Sequence, residues 1–123
     1  EYVSVPKVCA AAGLHAMQQA VERVGVDPSI QHYCVALARA TRRHTHVLMG
    51  ASPRGSLALL LLSRAYAVLA GRDYVTPEDV KAVAPAVLAH RLTIKPELWM
   101  SAVTGASVVA DVLGSEPTPR ARE

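Results

Sequence analysis

Ser52-Pro53-Arg54-Gly55-Ser56-Leu57-Ala58-Leu59-Leu60-Leu61-Leu62-Ser63-Arg64-Ala65-Tyr66-Ala67-Val68-Leu69-Ala70-Gly71 opens, continues and stops as a helix does. Ser52 stands where a side-chain oxygen can cap free N–H groups. Pro53 suits the first helical position, where its missing N–H costs nothing, and Gly71 ends the run. Leucines at 57 and 59–62 point in nearly every direction around such a helix. That pattern predicts a central helix buried on most sides. The rest of the chain then has to supply helices that pack around it.

It does so with repeated punctuation. Asp27-Pro28 opens a second helix, expected to run to about Arg43, with Ile30, Tyr33, Cys34, Leu37 and Thr41 on one stripe. Thr76-Pro77-Glu78-Asp79 opens another, with acids suited to the positive helix end. Its stripe is Val80, Val83, Ala84, Val87 and Leu88, and Pro85 inside the pattern predicts a kink or break there. Residues 8–24 carry Leu14, Met17, Val21 and Val24 at helical spacing, weakened early by Gly13. A last short helix fits residues 105–113, capped by Thr104 and stopped by Gly114. Residues 46–49 could form a short extended piece lying beside residues 91–95. The expected fold is therefore all-α: a small bundle of four to five helices with a minor extended pair. Residues 1–7 read as a linker, 8–114 as the folded domain and 115–123 as a flexible tail.

Composition agrees. Of 123 residues, 51% are hydrophobic, yet aromatics are 4% and Phe is absent. Such a core has to be built from Ala, Leu and Val, whose small side chains let helices approach closely. The longest apolar stretch, residues 57–62, is far short of the roughly 20 residues a membrane-spanning helix needs. The opening residues 1–7 are too polar and short for a secretion signal. Cys9 and Cys34 read as buried thiols in a reducing compartment, so a cytoplasmic location is expected.

Net charge is +3, but between Pro28 and Arg72 there is no acid at all. Arg39, Arg42, Arg43, Arg54, Arg64 and Arg72 lie in or close that stretch, so half the domain should project a positive field suited to phosphate or an acidic partner. No glycine-rich phosphate loop ending in Lys-Ser or Lys-Thr is present, and no spacing reads as a metal site. The chain is not expected to be catalytic by itself.

Chemistry concentrates at Gly50-Ala51-Ser52-Pro53-Arg54-Gly55-Ser56. A helix start presents free N–H groups and about half a positive charge, a setting for anions. Arg54, at the second helical position, adds a guanidinium that can fork onto two phosphate oxygens. Ser52, Pro53 and Gly55 shape that helix end. The plainer reading is a capped helix with an exposed arginine.

Gly50-Ala51-Ser52-Pro53-Arg54-Gly55-Ser56-Leu57-Ala58-Leu59-Leu60, Gly71-Arg72-Asp73-Tyr74-Val75-Thr76-Pro77-Glu78-Asp79-Val80 and Val87-Leu88-Ala89-His90-Arg91 resemble consecutive signatures of the C-terminal lid of MoxR-family AAA+ ATPases. Val26-Asp27-Pro28 and Ala40-Thr41-Arg42 match upstream, in order and spacing. The resemblance covers residues 17–94; Gly13 and the acid-free turn after Thr104 depart from it. It implies that residues 1–7 lead from an ATPase core, and that Arg54 is the second sensor, the arginine reading the terminal phosphate of ATP. Arg42 and Arg91 also match, and are assigned to structure or to contact with the core. ATP and magnesium are implied for the full-length protein. Implied partners are its own core domain, neighbouring subunits of a ring (a hexamer) and von Willebrand factor A-domain proteins, in chaperone-like maturation. The competing readings are a basic helical DNA-binding module and a structural interaction bundle. The 44–51 connection is too long for a helix-turn-helix and the next helix too apolar for a groove, so nucleic acid is not an expected partner.

Overall fold

The computed structural model describes residues 3–120; the first two residues of the expected linker and the last three of the expected tail lie outside them. Five α-helices and a two-stranded ribbon follow in the order α1 (Ala11–Glu22), α2 (Pro28–Arg43), β1 (Val47–Met49), α3 (Pro53–Leu69), α4 (Pro77–Leu88), β2 (Thr93–Ile94) and α5 (Gly105–Ser115). Single 3-10 turns, Ala89–Arg91 and Pro96–Leu98, flank β2. The expected bundle and its minor extended pair are both present. Val47 pairs with Ile94 and Met49 with Thr93, antiparallel, with an irregularity between them. Among the described residues no helix is long and apolar enough to cross a membrane.

α2 forms as its sequence predicts. The Asp27 carboxylate accepts from the Ser29 N–H at 2.8 Å, and Ile30, Tyr33, Cys34, Leu37, Ala38 and Thr41 are buried. α3 runs without a break to Leu69. Gly71, at φ 73°, closes it: the Gly71 N–H reaches the Val68 carbonyl and the Arg72 N–H the Ala67 carbonyl. This pair of bonds satisfies carbonyls that a helix end leaves open, and the left-handed backbone it needs favours glycine. α3 does touch α1, α2 and α4, but it is not buried on most sides. Gly55, Leu59, Ser63 and Ala67 form its single buried stripe, while Leu57 (60%), Leu61 (57%) and Leu62 (48%) are exposed. Small residues bring the neighbouring helices close on that one face, so the other leucines have nothing to pack against.

α4 carries a full capping box: Thr76 Oγ1 accepts from the Asp79 N–H, and the Asp79 carboxylate accepts from the Thr76 N–H at 2.8 Å. The helix does not break at Pro85. It continues to Leu88 and only then tightens into the 3-10 turn. Pro85 is exposed, whereas Ala84, Val87 and Leu88 are buried. Core packing on the inner face holds the turn in register, and the donor lost at Pro85 lies on the outer one.

The two ends differ most from expectation. α1 spans 12 residues rather than 8–24, has no side-chain cap and buries none of its residues; Leu14 and Met17 are more than half exposed. Only Val24, beyond its end, enters the core. Cys9 is exposed rather than buried, while Cys34 is buried and both thiols are free. α5 passes through Gly114 and ends at Ser115. Thr104 caps it in a reciprocal box with Ser107 in place of an acid. Gly105 is explained by contact: a Cβ there would collide with the carbonyl oxygen of Ala89. Residues 116–119 lie beside Ser29, His32 and Tyr33 of α2. Burial pushes the Tyr33 phenol above its ordinary value, opposed by the neighbouring Thr118 side chain.

Leu37, Leu59, Val80, Leu88, Val108 and Val109 are the largest fully buried apolar side chains, one or two from each of α2 to α5. Trp99 stays outside this core: it is 69% exposed, its indole N–H donating to the Ile94 carbonyl at 3.0 Å.

Candidate functional site

The start of α3 is held from outside itself. Ser52 has the extended backbone of an N-cap residue, but its hydroxyl makes no capping bond. Ala51, the residue before it, is fully buried. Its N–H donates to Thr41 Oγ1 at 2.9 Å, and its carbonyl accepts from Arg42 Nε at 2.7 Å. Two consecutive α2 side chains thus grip both backbone groups of one residue. Gly50 makes this possible, because a Cβ there would fall 2.6 Å from the Arg42 Cα and backbone N. Gly55 is also buried. The space its missing side chain leaves is taken by the protein: a Cβ there would sit 3.1 Å from the Ala51 Cβ and 3.4 Å from Leu88 Cδ2.

Arg54 projects from this anchored end. It is exposed, and among the described residues its side chain makes no hydrogen bond or ion pair. The Gly55 N–H is committed to the Ser52 carbonyl at 2.8 Å and Pro53 has none, while the Arg54 N–H has no backbone acceptor among the described residues. Helix end, free N–H and free guanidinium thus belong to the same exposed residue.

Arg42 and Arg91 flank it. Arg42 is bonded to Ala51 as above. Arg91 donates from Nε to the Val87 carbonyl at 3.0 Å, and its Cδ would lie 3.9 Å from a Cβ on Gly55. Both are exposed and both spend their Nε on structure. The wider positive field is thinner than the acid-free stretch suggests: Arg72 is paired with Asp79 and His44 lies 3.4 Å from Asp111.

The donor types suit a phosphate: a planar guanidinium carried on the first turn of a helix. Among the described residues no three His, Cys, Asp or Glu side chains gather to hold a metal ion. Sequence reasoning located Arg54 but missed what holds it. Ala51 is too small and apolar to draw attention, and Thr41 reads as one more position on the buried stripe.

Residues 39–112 match the family model of the AAA lid domain. The chain is 34% identical over 104 residues to Chaperone MoxR1 of Mycobacterium tuberculosis, covering 77% of this chain and 28% of that one. It is 35% identical over 103 residues to Protein MoxR of Methylorubrum extorquens, covering 73% and 29%. The chain is a lid domain of the MoxR family of AAA+ ATPases. YeaC of Bacillus subtilis is 38% identical over 103 residues, covering 84% of the lid and 32% of its own length. A crystal structure from Cytophaga hutchinsonii, assigned as an ATPase, superposes with a TM-score of 0.79 at 27% identity, over 83% of the lid and 34% of that chain. The lid thus spans less than a third of the curated relatives it matches.

Proposed function

We propose that this lid senses nucleotide: it closes over ATP bound in a separate core domain, and Arg54 reads the terminal phosphate. The single observation that carries this reading is an arginine held at an anchored helix start with every donor free. A surface arginine kept only for solubility needs no such anchoring. In this reading Ser52, Pro53 and Gly55 shape the helix end, and magnesium takes its ligands from the core. Closure of the lid adds charge where the phosphates gather it, and opening withdraws that charge. The movement is passed to neighbouring subunits of a ring, a hexamer, in the cytoplasm. The ring remodels or matures other proteins, among them von Willebrand factor A-domain partners. The Mycobacterium tuberculosis relative is named a chaperone, which supports that direction.

Arg54→Ala tests the reading. Being exposed and unpaired, it should change the stability of the lid by about 0.5 kcal/mol or less. In the full-length ATPase the same change should lower turnover roughly tenfold to a hundredfold, and Arg54→Lys should recover only part, since an ammonium lacks the fork. Normal turnover in Arg54→Ala, or a lid that unfolds without Arg54, overturns the assignment.

A further inference from the structure

We infer that Thr41 and Arg42 are positioning residues, which act on nucleotide through Arg54 by fixing the backbone of Ala51. The inference rests on the Arg54 reading above and adds how the sensor is aimed.

Two residues, Ser52 and Pro53, separate Ala51 from Arg54, and their own side chains do little to restrain them. The Ser52 hydroxyl caps nothing, and the Ser56 hydroxyl only turns back to the Pro53 carbonyl, at 2.8 Å. Pro53 fixes its own φ but bonds to no neighbouring element. Among the described residues, the side-chain hydrogen bonds that tie this helix start to the rest of the fold are therefore the two from α2. The Thr41 hydroxyl is itself oriented. It donates to the Ala38 carbonyl at 2.7 Å, one turn back, which leaves an oxygen lone pair for the Ala51 N–H. Thr41 and Ala51 are both fully buried, so water cannot replace the bond between them, and losing it leaves the Ala51 N–H unsatisfied. A guanidinium at the end of a long side chain magnifies any rotation of the helix start that carries it. α2 thereby sets the direction of Arg54 through buried Thr41 and through Arg42 at its exposed edge.

A threonine that only fills the core would show a different pattern, and ATP turnover of the full-length ATPase separates the two. Thr41→Val keeps the shape and removes the oxygen; it should lower turnover about fivefold in the parent background and by less than about twofold when Arg54 is already Ala, the non-additivity expected of groups acting as one unit. Thr41→Ser, which keeps the oxygen, should recover most of the loss. Should Thr41→Val fail to fold, Arg42→Met at an exposed position removes the other bond and is read in the same way. A loss that is equal with and without Arg54, or no loss at all, overturns the positioning role while leaving Arg54 as sensor. Normal turnover in Arg54→Ala alone instead overturns the sensor reading on which this role depends.

Discussion

Arg72 grips Asp79 with both prongs of its guanidinium, at 2.8 and 2.5 Å, across the turn between α3 and α4. Asp79 is almost wholly buried and also closes the capping box of α4. Burial by itself would raise its carboxyl, but the Arg72 fork and the Thr76 bonds outweigh it and hold the group below its ordinary value.

A pH dependence follows. The folded chain binds the Asp79 proton less readily than the unfolded one, so this contribution is complete above the unfolded value, 3.8. It is lost as pH falls through the lower folded value. Asp79→Ala should lower the thermal midpoint by roughly 5–10 °C near neutrality, since it removes charged hydrogen bonds and a cap. The gap between variant and parent should narrow below about pH 4 in denaturant titrations. A gap unchanged down to pH 2 would mean the pair does not control acid stability.

Gly50→Ala should destabilise the lid by about 1–3 kcal/mol, an overpacking cost. The obstacle is the Arg42 backbone 2.6 Å away, which cannot rotate aside as a side chain can. Urea midpoints compare this variant with Gly114→Ala, where a Cβ meets nothing within 4 Å; equal midpoints would show that the approach is looser than described.

The two thiols should react unequally. Burial pushes the Cys34 thiol up to about 11, and the thiolate is the reactive form; Cys9 is exposed. Iodoacetamide at pH 8 should label Cys9 first, with Cys34 protected until the chain is unfolded in denaturant. Peptide mass mapping of the labelled chain reads the order directly.

Pro85→Ala should stabilise the lid by about 1 kcal/mol. The alanine restores a donor to the Lys81 carbonyl and removes a ring clash, offset partly by a freer unfolded chain. Pro85 is exposed, so the core is unaffected. A lower thermal midpoint in this variant would mean that the proline has a structural part in the transition to the 3-10 turn at Ala89.

These cases also mark how far the chain could be read in advance. Punctuation was legible: Asp27-Pro28, Ser52-Pro53, Thr76-Pro77 and Thr104 each open a helix, although the Ser52 hydroxyl makes no capping bond. Packing was not. Leucine periodicity at 57–62 says that apolar surface exists, but which face meets α4 depends on Gly55, Ser63 and Ala67, residues too small to register as a hydrophobic signal. For the same reason Arg54 stood out while the grip on Ala51 did not. A hydrogen bond between Thr41 and a backbone ten residues away leaves no periodic trace. At Pro85 the expected break is absent, because local rules count the lost donor and not the buried Val87 and Leu88 that carry the helix on to Leu88.

Trp99 gives the lid a built-in optical reporter. It is the only tryptophan in the chain and sits largely in solvent, so the folded lid should emit much as an exposed indole does. Unfolding will move that emission little. A body settling over the β2 turn would shift it to shorter wavelength, so fluorescence will register docking at this edge while staying nearly silent about folding.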